Sequence, residues 1–131
     1  MNKKQKRYLY SPKNYSKKQL WDLDYFLAEH ICGALNQFKK AKRTGYPSDL
    51  NSMEEWDHII DNMIFAFEQI RKNFARSPYS QYYDKKHKEN PNYDFLYDNV
   101  SEAIRKDEDA YQDKIRQGLS LFAKYFQSLW D

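Results

Sequence analysis

Residues 52 to 68, SMEEWDHIIDNMIFAFE, place Glu54, Glu55, Asp57, Asp61 and Glu68 within five turns of a helical pattern. Glu54, Asp57, Asp61 and Glu68 step by three, four and seven, so their carboxylates line one flank of a helix. Upstream, Asp22 and Glu29 are seven apart on a second helical segment, and Asp24 falls between Leu20 and Leu27 on its apolar face. A carboxylate there must be paired, hydrogen-bonded or metal-bound, because burying a bare charge is costly. Oxygens from two facing helices suit Mg²⁺, and Asp24, Glu54, Asp57 and Asp61 are the candidate ligands.

Glu54 to Asp57 satisfies the ExxD half of the pattern by which all-α nucleotide pyrophosphohydrolases hold Mg²⁺ on a triphosphate. The accompanying ExxE is missing, since the first helix offers Asp22, Asp24 and Glu29 at other spacings. The favoured reading is therefore a solvated, capped helix flank with Asp24 in a local hydrogen bond, with no cofactor and no catalytic residue, and a Mg²⁺-dependent hydrolase is the alternative. His30, His58 and His87 are too scattered for a zinc site, and no Ser, Thr or Cys lies one turn from His58 to serve as its nucleophile. Neither GxGxxG, a P-loop, CxxC nor GxSxG occurs.

The strongest binding signal is at the N-terminus. Residues 1 to 18 carry seven cations and no acid, which leaves 15 basic against 19 acidic residues in the remainder, a balance of −4. Lys3, Lys4, Lys6, Arg7, Tyr8, Tyr10 and Lys13 interleave charge with rings, a combination that neutralises phosphates and stacks on bases. This stretch, 1 to 15, is expected to be a flexible, disordered basic arm. YSQYYDKKHK in the second half would extend the same surface.

Three elements must carry these residues. SKKQ at Ser16 has the form of a capping box, and Leu20, Leu23, Leu27, Ile31, Ala34, Leu35 and Phe38 then recur at helical steps, predicting a helix over 17 to 43. Gly45 and Pro47 stop it. Ser52 with Glu55 opens a second helix bearing Trp56, Ile59, Ile60, Met63, Phe67, Ile70 and Phe74, ended by Ser77-Pro78. Residues 77 to 92 are polar and unperiodic and are expected to form a long loop. Leu96, Val100, Ile104, Tyr111, Ile115, Leu119, Phe122, Phe126 and Leu129 predict one last helix of more than thirty residues, or two with a break near Lys106 to Asp109.

The chain of 131 residues has three glycines, four prolines and one cysteine, against 12 Tyr, 8 Phe and 3 Trp. Long elements around an aromatic core follow, with no disulfide and with Cys32 as a small core residue. No apolar run approaches the ~20 residues that span a bilayer. Each amphipathic stripe is buried only against the others, so the expected fold is an all-α antiparallel bundle of three or four long helices over 16 to 131.

QLWDLDYFLAEHICGALNQFK, GYPSDLNSMEEWDHIIDNMIFAFE and the terminal GLSLFAKYFQSLWD, in that order, resemble a family of small proteins encoded by tailed phages and prophages. The resemblance covers about residues 16 to 76 and 117 to 131. It implies a phage origin and a place in the host cytoplasm; the family's function is mostly unassigned, and no catalytic residue carries across. Together these features lead to the expectation of a non-enzymatic binding protein that blocks a host or defence nucleic-acid machine, in the manner of an anti-CRISPR protein. Its partners would be a host or defence protein, nucleic acid, or both, with no membrane. A virion or assembly component is a further alternative, in which Trp21, Trp56 and Trp130 contribute a self-association face.

Overall fold

The computed structural model describes residues 14–130. Every regular element among them is helical: α1 (Lys17–Trp21), α2 (Leu23–Lys40), α3 (Met53–Arg71), α4 (Pro78–Glu89) and α5 (Glu102–Tyr125), with 3-10 turns at Phe95–Tyr97 and Phe126–Ser128. None is long and apolar enough to cross a membrane.

The starts follow the sequence signals. The Ser16 hydroxyl accepts from the Gln19 N–H while the Gln19 side chain accepts from the Ser16 N–H, a complete capping box. Ser52 accepts from the Glu55 N–H, but the Glu55 carboxylate reaches one residue further back, to the Asn51 N–H.

The ends differ from the sequence expectation. The first helix breaks at Asp22 and finishes at Lys40 rather than 43. Ala41 is extended, which lets Arg43 turn back and donate to the orphan carbonyl of Lys39. Helix α3 stops at Arg71, not before Pro78: Asn73 and Phe74 take positive φ of 53° and 57°. The Phe74 N–H bonds the Gln69 carbonyl and the Asn73 N–H bonds that of Ile70, a Schellman closure with asparagine in the left-handed position.

Two larger corrections concern the second half. The expected loop over 77 to 92 is mostly helix α4. Ser77-Pro78 opens a helix here: the Ser77 hydroxyl accepts from the Ser80 N–H, and proline occupies the first turn, where its missing N–H costs nothing. The last helix begins only at Glu102 and runs unbroken through Lys106 to Asp109. Leu96 and Val100 are not on its stripe, because Asp94 caps the turn at Leu96 and Ser101 caps α5.

Helix α3 is the centre. The Cys32 thiol donates to Glu68 (2.9 Å), Lys39 pairs with Asp61 (2.6 Å) and Arg43 with Asp57, so numbers rise along α2 as they fall along α3. On the other flank Tyr111 bonds Gln69 (2.8 Å), Phe122 packs on Phe67 (4.9 Å between centroids) and Tyr125 on Trp56 (5.5 Å). Both neighbours therefore run antiparallel to α3. Its side chains Trp56, Ile60 and Met63 are the largest fully buried ones, joined by Ala28, Cys32 and Leu35 from α2 and by Tyr125. Helix α4 packs on α5, where its Tyr79 N–H donates to the buried Glu108 (3.1 Å).

Candidate interaction surface

Most of the acidic flank is engaged by neighbouring groups. Asp57 and Asp61 are held by Arg43 and Lys39 across the α2–α3 seam, Glu68 by Arg71 and Lys72, and Glu55 by the Asn51 N–H. Glu54 is exposed in the first turn of α3, where its charge favours the helix dipole. Asp24 makes the local hydrogen bond expected of it, accepting the Tyr25 N–H (2.8 Å), but it is exposed and not on a buried face. The register explains why. With Cys32 opposite Glu68, the first turns of α2 run past the end of α3, so the apolar face on which Asp24 falls has no partner there. Among the described residues no group of three or more His, Cys, Asp and Glu is placed to hold a metal ion, and Asp24, Glu54, Asp57 and Asp61 are not brought together as a ligand set.

Glu68 is the most perturbed carboxylate. Hydrogen bonds from Arg71 first, then from Cys32 and Lys72, hold it down to about 2 against the opposing effect of burial. Burial and the adjacent Glu68 push the Cys32 thiol up to about 11, so it stays protonated at neutral pH, a core group and not a nucleophile. Because the folded Glu68 binds its proton less tightly than the ordinary group at 4.5, its contribution to stability is complete above that value and is lost as pH falls toward 2. Thermal melts across that range should show the stability gap between the native chain and Glu68→Gln closing on acidification. A gap that holds constant would mean that the Arg71–Glu68–Cys32 network does not couple to folding.

Two of the three histidines make ring contacts. His30 stacks edge-on against Phe26 (4.6 Å) and His87 lies parallel to Tyr83 (5.7 Å). Asp98 accepts from both Tyr82 (2.6 Å) and Tyr93 (2.7 Å), which fastens α4 to the segment after it.

What α2 loses in partners it offers as surface. Leu20, Trp21, Leu23, Tyr25 and Leu27 are all exposed where α1 and the start of α2 overhang α3, with Leu20 56% and Trp21 87% accessible. Exposed side chains of this kind, tryptophan and tyrosine above all, carry most of the energy wherever a protein contact forms. No signal in the stripe itself separates these positions from core ones; only the length of the opposing helix does.

No protein-family model, curated protein or solved structure matches the chain.

The arm residues Lys3, Lys4, Lys6, Arg7, Tyr8, Tyr10 and Lys13 lie outside the described residues. The described chain begins at Asn14, two residues before the α1 cap, so the arm is attached at the overhanging end. The second basic stretch is helix α4, where Lys86 lies over the Tyr82 ring (5.6 Å) and Asp84 and Glu89 offset part of the charge of Lys85, Lys86 and Lys88. Of the three tryptophans, Trp56 is core and Trp21 and Trp130 are exposed.

A second apolar feature lies between α2 and the last turn of α5 with the segment that follows it. Ile31, Ala34, Leu35 and Phe38 face Phe122, Phe126 and Leu129 across a cleft of about 350 Å³.

Proposed function

We propose that this chain is a small phage-type binding protein, not an enzyme, acting stoichiometrically in the host cytoplasm as an antiparallel helical bundle with a basic N-terminal arm. Its target would be a host or defence protein of a nucleic-acid machine, in the manner of an anti-CRISPR inhibitor. The observation that carries this is the overhanging tip: Leu20, Trp21, Leu23, Tyr25 and Leu27 exposed at the end of the bundle to which the arm is attached. Apolar side chains would anchor a protein partner, and the arm's cations would add steering toward an acidic or nucleic-acid-bound one. The clusters of perturbed groups support the same reading, since Glu68 with Cys32 and Asp98 with its tyrosines are bonded inward as structural pairs.

The test is affinity capture from a bacterial host lysate, with and without nuclease, using the full chain, Trp21→Ala, and a chain lacking residues 1 to 15. One host protein retained after nuclease and lost with Trp21→Ala is the expected result. Capture of nucleic acid alone, abolished with the arm and indifferent to Trp21, would replace the inhibitor reading by simple nucleic-acid binding.

A further inference from the structure

Helix α3 buries Trp56, Ile60 and Met63 on one side. Away from them, Asp61, Ile64, Phe65, Glu68 and Gln69 line a groove of about 530 Å³, completed by Asn36 of α2, Tyr111 of α5 and Arg76 beyond the end of α3. The volume lies within the range of small-molecule sites, and Ile64 and Phe65 supply its apolar part.

The uncommitted polar groups decide what such a groove can hold. Toward α2 the charges are already matched: Asp61 is paired with Lys39, and Glu68 takes Arg71, Lys72 and the Cys32 thiol. Toward α5 and the end of α3 the free groups are donors. Gln69 is only 5% exposed; its Oε1 accepts from Tyr111 (2.8 Å), and its Nε2 donates to no protein group among the described residues. The buried unpartnered side-chain nitrogens of those residues both belong to Arg43, so the Gln69 Nε2 reaches open space, which on its flank is this groove. In a side chain otherwise buried, those N–H groups require an acceptor brought in by water or by a ligand.

Two cations stand with Gln69. Arg76 lines the groove, and the Lys114 ammonium lies over the Phe65 ring (4.0 Å); neither forms an ion pair among the described residues. The α3 dipole accounts for Arg71 and Lys72 in its last turn, but not for Lys114 or the Gln69 amide. Lys39, Arg71, Lys72, Arg76 and Lys114 together outnumber the carboxylates Asp61, Glu68 and Glu108, the last of which acts on Tyr111.

We propose that this groove binds a small organic oxyanion, a carboxylate or a phosphate ester on an apolar body. The Gln69 Nε2 and the Arg76 guanidinium donate to its oxygens, Lys114 adds charge at the edge, and Ile64 and Phe65 take the body. The inference stands apart from the partner reading above, since no residue of the Leu20 to Leu27 tip lines this groove.

Phenyl phosphate titrated into the ¹⁵N-labelled full chain should shift the Gln69 side-chain amide signals saturably, with a dissociation constant of about 1 mM or tighter. Benzoate in a parallel titration separates the two sources: whichever probe binds tighter assigns the phosphate ester or the carboxylate. Arg76→Gln, at an exposed position outside the helices, should weaken the tighter probe by at least about tenfold. Lys114→Gln, exposed on α5, gives the same reading if Arg76→Gln disturbs the fold. No saturable shift from either probe by about 10 mM would overturn the proposal. So would equal binding of benzyl alcohol, which has the ring without the charge, or of inorganic phosphate, which has the charge without the ring. Unchanged affinity in both folded variants would also overturn it.

Discussion

Trp56→Ala should cost about 3 to 5 kcal/mol, a large part of the 5 to 15 kcal/mol typical of a single domain. Trp56 is 1% exposed and sits where the three main helices meet: Phe38 of α2 packs edge-on at 6.4 Å and Tyr125 at the end of α5 at 5.5 Å. Truncation removes the ring from both contacts at once. The Tyr125 hydroxyl, held by Asp49 (2.8 Å) in the α2–α3 connection, prevents the surrounding residues from closing into the space. Urea unfolding followed by circular dichroism measures the loss; a change below about 1 kcal/mol would place the centre of the core elsewhere.

Gly118→Ala should be the next most damaging change, although alanine is the better helix former. At Gly118, α5 lies so close to α3 that an added Cβ would stand 2.3 Å from the Asn62 carbonyl oxygen and 2.7 Å from the Ala66 Cβ. One obstacle is backbone and the other a short, rigid side chain, so the helices must separate along the contact that joins Phe67 to Phe122 and Gln69 to Tyr111. Overpacking of this kind costs roughly 1 to 3 kcal/mol or more, against which the helix propensity of alanine returns only about 1. Gly33→Ala is the control: a Cβ there meets nothing within 4 Å, so the same substitution in α2 should stabilise the chain by up to about 1 kcal/mol. Equal effects at the two glycines would contradict the close α3–α5 contact.

The contrast between these glycines shows what sequence periodicity leaves out. The stripes of α2, α3 and the second half of α5 are legible because burial against a neighbour repeats with the helix, and Ser16 and Ser52 mark where two of them begin. Helix α4 carries no apolar stripe, since none of its residues is fully buried and only Pro78, Tyr79, Ser80, Tyr82 and Lys86 are half-buried; the Ser77-Pro78-x-Ser80 start is its one local signal. The 90 to 101 stretch carries apolar residues at helical steps, yet the aspartates Asp94 and Asp98 hydrogen-bond locally and draw it into turns. For the candidate site, sequence supplied the carboxylates of α3 but not Lys39 and Arg43, which neutralise them from more than a dozen residues away. Nor does it distinguish Leu20 and Leu23 from core leucines, since their exposure depends on where α3 ends.

Helix α4 packs chiefly on α5, while α3 is enclosed on two flanks. The segment from Pro78 to Asp98 is therefore fastened by few groups, chiefly Glu108 at one end and Asp98 between its two tyrosines. Such a segment can open without exposing Ile60 or Met63, so the molecule has two rungs of opening: a low one that frees α4, and a global one that is needed to release the amides of α3. The outer segment can accordingly change shape on contact with another surface while the helices that present the Trp21 end stay in register.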